Sequence, residues 1–146
     1  GDYLFILSDN VTNEYRQGSI NLYQSDSSGS LSVYLNGAAS HTATADLTAS
    51  TWYFIAVTYS NSNSEVMLYL RSQDGSTIYE YNTSAETDTS LDDITASGGF
   101  VVGGRSDAAD SGAFYGNIDG LAIFNTALTK DELDGVFANG WDGSGW

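Results

Sequence analysis

The stretch that decides the fold runs from residue 115 to residue 133 and reads YGNIDGLAIFNTALTKDEL. Its first part, residues 118–124, is short, mostly apolar and bounded by turn residues, which predicts a β-strand. After it, Thr129 and Glu132 have the spacing of a capping box, in which each side chain bonds to the backbone N–H of the other. Apolar residues then follow at helical spacing, and an Asn-Gly pair ends the pattern. The sequence therefore predicts a strand and then a short helix at about residues 130–138.

Outward from this stretch, short runs that alternate apolar and polar residues are separated by turn-forming clusters, which is typical of β-strands. The run at 54–59 is largely apolar at both sets of alternating positions, so this strand is expected to be buried on both faces. Asn36-Gly37 is a hairpin signal. Together these runs predict an all-β fold, an antiparallel β-sandwich with one short C-terminal helix. The strands outside the first stretch are predicted at residues 3–8, 20–23, 31–35, 54–59, 66–71, 77–81 and 100–103.

The composition excludes several function classes. The chain has 146 residues, which favours a single domain, and 41% of them are hydrophobic, which argues against disorder. It has no Cys, so a disulfide framework, a thiolate metal site and a Cys nucleophile are excluded. Four basic residues against 19 acidic ones give a net charge of −15, which disfavours nucleic acid and anionic membranes as partners. No apolar run approaches the length of about 20 residues that a membrane span needs.

Several segments of the chain resemble one protein family. They are residues 52–59 (WYFIAVTY), 67–70 (MLYL), 100–103 (FVVG) and, most specifically, the stretch at 115–133. These segments resemble the laminin G-like, concanavalin A-like jelly-roll domains, especially the bacterial LamG-like group, over roughly residues 3–138. The resemblance implies two antiparallel sheets, an extracellular or cell-surface location, and binding rather than catalysis. It also implies glycan or matrix partners and, in many members, a bound calcium ion.

The resemblance further implies about two strands before Tyr3, and none precede it in this sequence. We therefore expect one domain, residues 1–146, that lacks its first strands and is either part of a longer polypeptide or completed by strand donation from a neighbour. A sandwich of this kind would have an unpaired strand edge beside the run at 3–8, and such edges recruit other strands.

The residues that catalysis needs are missing. His41 is the only His, it lies in a polar stretch that predicts a loop, and no Gly-x-Ser-x-Gly sequence accompanies it. Sandwich-fold glucanases carry Glu-x-Asp-x-x-Glu on one strand, whereas this sequence has Asn117 and Ala122 at the positions of the two Glu residues. Because glycoside hydrolysis needs two carboxylates at one cleft, the sequence predicts a protein that is not an enzyme.

Three acidic residues are candidate ligands for calcium. Asp119 lies within the apolar run at 118–124, where a buried carboxylate needs either hydrogen-bond donors or a cation. Two interpretations are open for it, namely backbone N–H groups of an adjacent loop or a calcium ion. Asp107 and Asp110 lie in a predicted loop, where they could bind an ion or remain solvated. Gly120 stands where the resembled family often has a second acid. We expect one calcium ion, with Asp119 as its main side-chain ligand.

Aromatic residues are the candidate ligand contacts. If several Tyr side chains line one sheet, they form a platform against which sugar rings pack. The alternative is that Tyr is simply a frequent strand residue. Trp52 is expected in the core, whereas Trp141 and Trp146 are expected to pack on a sheet or on a partner. The candidate ligand-contacting residues are Tyr23, Tyr34, Tyr69, Tyr79, Tyr81, Phe114 and Trp141.

These observations predict a non-catalytic carbohydrate-binding domain of a secreted or cell-surface protein, and calcium could assist the binding. Its glycan is expected to be neutral, or anionic only where calcium bridges it. The alternative is a structural or adhesion module that assembles with other chains on a surface or filament. A monomer that binds a glycan would support the first hypothesis, and filaments or obligate complexes would support the second.

Overall fold

The elements of the fold follow the alternating pattern along most of the chain. The structure is a computed structural model that describes residues 2–8, 20–24, 29–35, 38–60, 62–63, 65–75, 78–83, 99–104 and 113–140. Those residues form eight β-strands and one α-helix. The elements are β1 (Asp2–Ser8), β2 (Ile20–Gln24), β3 (Ser30–Leu35), β4 (Ala38–Asp46), β5 (Tyr53–Ser60), β6 (Glu65–Ser72), β7 (Ile78–Thr83), β8 (Gly99–Val102) and α1 (Lys130–Gly140).

The chain divides into two compact units, and each is described by itself. The first unit combines Gly1–Leu47 with Asp88–Asn117 and holds a five-stranded sheet in the order β4-β3-β2-β1-β8. The second unit combines Thr48–Thr87 with Ile118–Trp146 and holds a three-stranded sheet in the order β5-β6-β7, together with α1. Every neighbouring pair of strands in both sheets is antiparallel. The predicted class, all-β with one short C-terminal helix, is confirmed.

The core of the first unit lies on one face of β2 and β3. Leu22 stands opposite Val33 in the ladder, and both side chains are buried, as is that of Leu31. Opposite residues of an antiparallel pair point to the same face, so these three side chains form one apolar surface. Burying a side chain of this size stabilises the fold by about 1.5–3 kcal/mol. The alternation therefore sets the register, because a one-residue slip would expose all three.

The core of the second unit is built around the middle strand, β6. Residues 66–70 are all buried, so this strand is covered on both faces. On one of them Met67 and Tyr69 pack with Leu133 of α1, and Phe54 and Leu128 pack against this cluster. Phe54 makes an edge-to-face contact with Tyr69 at a centroid distance of 6.0 Å. The helix is thus held by an apolar stripe on one face of the sheet.

The start of α1 has the predicted capping box. The Thr129 hydroxyl accepts from the Glu132 N–H at 3.4 Å, and the Glu132 carboxylate accepts from the Thr129 N–H at 2.8 Å. The carboxylate also accepts from the Thr129 hydroxyl at 2.9 Å. These bonds satisfy donors that a helix start otherwise leaves unpaired. The backbone hydrogen bond from Thr129 is the main reason why the pKa of Glu132 is lowered.

Three expectations about elements are wrong. Residues 118–124 are not a strand, and their large apolar side chains are exposed. The stretch around His41 is not a loop, because His41 lies in β4, opposite Val33 of β3. The run at 3–8 is not an unpaired edge, because β1 lies inside the five-stranded sheet, between β2 and β8.

Two expectations about burial are also corrected. Trp52 precedes β5 and is exposed, so it is not a core residue, although its backbone carbonyl accepts from the Gln73 N–H at 2.9 Å. β5 is half-buried along its length, and the strand buried on both faces is its neighbour β6. β6 is more deeply buried than β5 because it is the central strand of the three-stranded sheet, whereas β5 lies at its edge.

Candidate functional site

The first candidate site is a patch on β2 and β3 that we call the tyrosine face, consisting of Asn21, Tyr23, Ser32 and Tyr34. In the β2–β3 ladder Asn21 is opposite Tyr34 and Tyr23 is opposite Ser32, so all four side chains point to the same face. This face is opposite the one that carries Leu22 and Val33, because successive strand residues alternate. The alternation that builds the core on one face therefore presents a polar and aromatic surface on the other.

The two tyrosines of this face are in direct contact. Their ring centroids are 5.9 Å apart and the ring planes meet at 87°, an edge-to-face arrangement. Both side chains are half-buried, whereas Asn21 is 0% exposed and Ser32 is nearly buried beside them. The polar residues form the base of the patch, and the two rings keep part of their surface open to solvent. Rings that keep part of their surface open suit a ligand with an apolar face.

The structure divides the predicted tyrosine platform between two sheets. Tyr23 and Tyr34 belong to the five-stranded sheet, whereas Tyr69, Tyr79 and Tyr81 belong to the three-stranded sheet. Tyr69 is 0% exposed and its hydroxyl is bonded inside the protein, so we remove it from the ligand-contacting set. Its regular spacing in the strand, which suggested a surface platform, instead directs it under α1.

For the other predicted ligand-contacting residues, the structure shows no shared aromatic surface among the described side chains. Tyr79 and Tyr81 stand opposite Leu70 and Leu68 in the ladder, and their side chains lie outside the described residues. Phe114 is half-buried, and its N–H donates to the Gly103 carbonyl at 3.0 Å. Trp141 lies outside the part of the chain that the structure describes. Tyr23 and Tyr34 are therefore the predicted aromatic residues that the structure brings together.

The predicted calcium ligands are not assembled in the described part of the chain. Asp119 is exposed, and its carboxylate accepts from the N–H of Gly120 at 2.8 Å. Gly120 has φ +62°, a conformation that glycine adopts without strain, so this bond belongs to a tight local bend. Asp107 and Asp110 lie outside the described residues, and among those described no three His, Cys, Asp or Glu side chains group together. Calcium binding stays a prediction.

A second polar cluster, which the sequence analysis missed, joins α1 to β6. Asp134 accepts from the Tyr69 hydroxyl at 2.5 Å, from Lys130 Nζ at 2.6 Å and from Arg71 Nη1 at 3.3 Å. The Arg71 guanidinium also lies over the ring of Phe137, 4.2 Å from its centroid. The only signal in the sequence was the i,i+4 spacing of Lys130 and Asp134, which predicts an ion pair on a helix.

The electrostatics of this cluster indicate a structural role. The hydrogen bond from Lys130, followed by that from Tyr69, lowers the pKa of Asp134, so this carboxylate is ionised at neutral pH. Burial, with the hydrogen bond to Asp134, raises the pKa of Tyr69, so its hydroxyl stays protonated as a donor. With three donors on one carboxylate, Asp134 has little capacity left to serve as a catalytic acid or base. The cluster instead fixes α1 on the sheet.

α1, with 11 residues and acidic side chains in its first turn, is too short to span a bilayer, and the described residues contain no other helix.

Comparison with known families gives one finding. The family model described as the concanavalin A-like lectin/glucanases superfamily matches residues 3–134, a range that begins in β1 and ends inside α1. Neither the curated proteins nor the solved structures contain a significant match.

Proposed function

We propose that this chain, which belongs to the concanavalin A-like lectin/glucanase superfamily, is a non-catalytic carbohydrate-binding domain that acts outside the cell. The observation that carries the proposal is the tyrosine face, where the edge-to-face pair of Tyr23 and Tyr34 borders the buried polar side chains of Asn21 and Ser32. A pyranose ring packs its C–H face on an aromatic ring and directs its hydroxyls to neighbouring polar groups. The two half-buried rings supply the packing contact, whereas Asn21 and Ser32 are buried beneath them and support the patch.

The superfamily includes lectins and glucanases, and the acidic residues favour the first. A glycoside hydrolase needs one protonated and one ionised carboxyl group facing each other across the sugar. Asp134 is held by three donors within the second unit, and Asp119 accepts from the amide next to it. Among the described residues no second carboxylate is bonded to either of them, and Asn117 and Ala122 stand where the glucanase pattern has its two Glu residues. We therefore expect no turnover of polysaccharides.

The charge of the chain narrows the class of glycan. At a net charge of −15, the surface repels sulphated and uronate chains unless a divalent cation bridges them. Of the four basic residues, Arg71 and Lys130 are engaged with Asp134, and Arg16 and Arg105 lie outside the described residues. Four cations in a chain with 19 acidic residues are too few for a polyanion clamp. The ligand that fits best is a neutral glycan.

The test is a glycan array of the wild-type chain with and without calcium, followed by titration of the best neutral glycan. Tyr23→Ala and Tyr34→Ala should each weaken binding by about tenfold or more, equivalent to about 1.4 kcal/mol, because each removes a ring contact. Tyr34→Phe should bind nearly as the wild type if ring packing dominates. Tyr115→Ala is the matched control, since this tyrosine is 85% exposed and lies outside the tyrosine face. Unchanged affinity in both alanine variants, or tight calcium-independent binding to heparin or alginate, would contradict the proposal.

A second candidate function is a structural or adhesion module that assembles with other chains. The observation that favours it is the set of exposed apolar side chains at residues 118–124. Sedimentation of the purified chain separates the two candidates, because a glycan-binding monomer supports the first, whereas filaments or obligate complexes support the second.

A further inference from the structure

We infer that Asp119 isomerises spontaneously to isoaspartate in the folded chain, through a succinimide formed with the backbone nitrogen of Gly120. The sequence contains four Asp-Gly pairs, and in each of them the glycine lacks the Cβ that otherwise hinders approach to its backbone nitrogen. As dipeptides the four pairs are equally reactive, so a difference between them has to come from the folded structure. The pairs are Asp74-Gly75, Asp119-Gly120, Asp134-Gly135 and Asp142-Gly143.

The geometry at Asp119 brings the two reacting groups together. Its carboxylate Oδ1 accepts from the Gly120 N–H at 2.8 Å, and Cγ, which is bonded to this oxygen, is thereby held beside the same nitrogen. A nucleophile and an electrophile about 3–3.5 Å apart are in a near-attack geometry. Both residues are exposed and lie outside the helix and the strands, so no helical or ladder hydrogen bond has to break when the ring closes.

The pair at Asp74 has the same two residues with different hydrogen-bond partners. The Asp74 carboxylate accepts from the Ser72 hydroxyl at 2.6 Å, whereas the Gly75 N–H donates to the Ser72 carbonyl at 2.9 Å. The electrophile and the nucleophile are therefore each bonded to Ser72 instead of to one another. Asp74 is exposed, as Asp119 is, so accessibility to water does not distinguish the two pairs.

The pair at Asp134 is restrained more strongly. The Asp134 carboxylate accepts from Tyr69 and Lys130, and Gly135 lies in the interior of α1, where each N–H donates to the carbonyl four residues earlier. Ring closure there would have to break both sets of bonds. Asp142-Gly143 lies outside the described residues. Among the described pairs, the structure therefore selects Asp119-Gly120.

The reaction needs no reagent besides water. The Gly120 nitrogen attacks Cγ of the protonated Asp119 carboxyl group, and the new N–Cγ bond closes the succinimide ring while the carboxyl OH and the amide proton leave together as water. A second water molecule then cleaves the bond between this nitrogen and the main-chain carbonyl carbon of Asp119. The chain is now linked through the side-chain carbon, so the backbone is longer by one methylene group and the mass is unchanged.

The product differs from the original chain at a residue for which a role is predicted. The free carboxylate of isoaspartate is the former main-chain carboxyl group, bonded directly to Cα, whereas that of Asp119 is one methylene group further out. Asp119 is the expected main side-chain ligand for calcium, so isomerisation would displace the carboxylate on which that prediction depends. The modification would therefore make an aged sample differ from a fresh one.

The test incubates the full chain in mildly acidic buffer, folded and in concentrated urea, and locates isoaspartate by peptide mass spectrometry with electron-transfer fragmentation. In the folded chain isoaspartate should form at Asp119 about tenfold or more faster than at Asp74, because the folded geometry aligns the reacting atoms at Asp119. In urea the two pairs should react at similar rates, since that geometry is lost. In heavy-oxygen water the product at Asp119 should contain one heavy oxygen atom, the mark of succinimide hydrolysis.

Two variants complete the test. Asp119→Glu keeps the charge but would have to close a larger ring, so modification at this position should disappear, whereas Asp74→Glu should leave the rate at Asp119 unchanged. Circular dichroism checks that both variants are folded. Equal rates at Asp119 and Asp74 in the folded chain, or isoaspartate at Asp119 only in urea, would overturn the inference. These measurements do not depend on glycan binding, so they are independent of the proposed function.

Discussion

At the scale of single residues, Asp134 is a polar side chain whose loss should have a measurable effect on stability. Replacing it by alanine removes the acceptor of the buried Tyr69 hydroxyl and separates the charges of Lys130 and Arg71 from their partner. A buried donor left without an acceptor costs about 1–3 kcal/mol, so Asp134→Ala should lower the free energy of unfolding by that amount in a urea titration. Lys130→Ala, which breaks a partly exposed i,i+4 pair, should cost about 0.5 kcal/mol or less. Equal losses in the two variants would contradict this account.

The same carboxylate should make stability depend on pH. Its pKa in the folded chain is lowered from the ordinary value of 3.8, first by Lys130 and then by Tyr69. A lowered pKa means that the stabilisation is present above pH 3.8 and is lost as the pH falls through the folded-state pKa. Acidification from neutral pH should therefore destabilise the wild type more than Asp134→Asn. Parallel pH profiles of the two unfolding free energies would show that the ion pairs contribute nothing.

The tyrosines show which part of the site can be predicted from sequence. The alternation places Tyr23 and Tyr34 on strands, whereas their contact depends on the β2–β3 register, which the sequence pattern does not specify. Tyr69 has the same local pattern but is buried, because α1, more than sixty residues later in the chain, packs on that face of β6. Which face of a strand is covered is a tertiary property, so the residue pattern alone could not separate these cases.

At the scale of elements, α1 contains a position that can be improved. Gly135 lies in the interior of the helix, and a Cβ built there meets nothing within 4 Å. Because glycine loses more backbone entropy than alanine on folding, Gly135→Ala should raise the free energy of unfolding by about 0.5–1 kcal/mol. Thermal unfolding checks this. Gly116→Ala serves as the contrast, since its Cβ would come within 2.6 Å of the Phe114 ring, and it should destabilise the chain.

Two elements explain the limits of prediction at this scale. β4 reads AASHTATAD, without a large apolar residue, and it is a strand because β3 supplies a ladder of partners. Residues 118–124 have the opposite character, with a strong strand pattern and no strand in the structure. A run of apolar residues indicates side chains that can be buried. A β-strand also needs a neighbouring strand that supplies backbone hydrogen bonds. The predicted helix, whose cap is local in sequence, was confirmed at both Thr129 and Glu132.

At the scale of the whole molecule, calcium binding to this acidic chain can be tested through its effect on the free energy of unfolding. If one ion binds the folded chain, free calcium at 100 times its dissociation constant should add about 2.7 kcal/mol to the free energy of unfolding. The melting temperature in millimolar calcium should then exceed that in excess chelator. Magnesium at the same concentration is the control for general screening of the net charge of −15. Identical melting temperatures in calcium and in chelator would show that the folded chain does not bind calcium.

The interior position of β1 in the five-stranded sheet has a consequence during protein synthesis. β2, β3 and β4 follow β1 closely along the chain, whereas β8 begins only at Gly99. At about 5–20 residues per second, the roughly 50 residues between β4 and β8 take about 3–10 s to leave the ribosome. During that interval one side of β1 presents unpaired N–H and C=O groups to neighbouring nascent chains. Misassembly should therefore occur as an exchange of β8 between two chains on the same polysome.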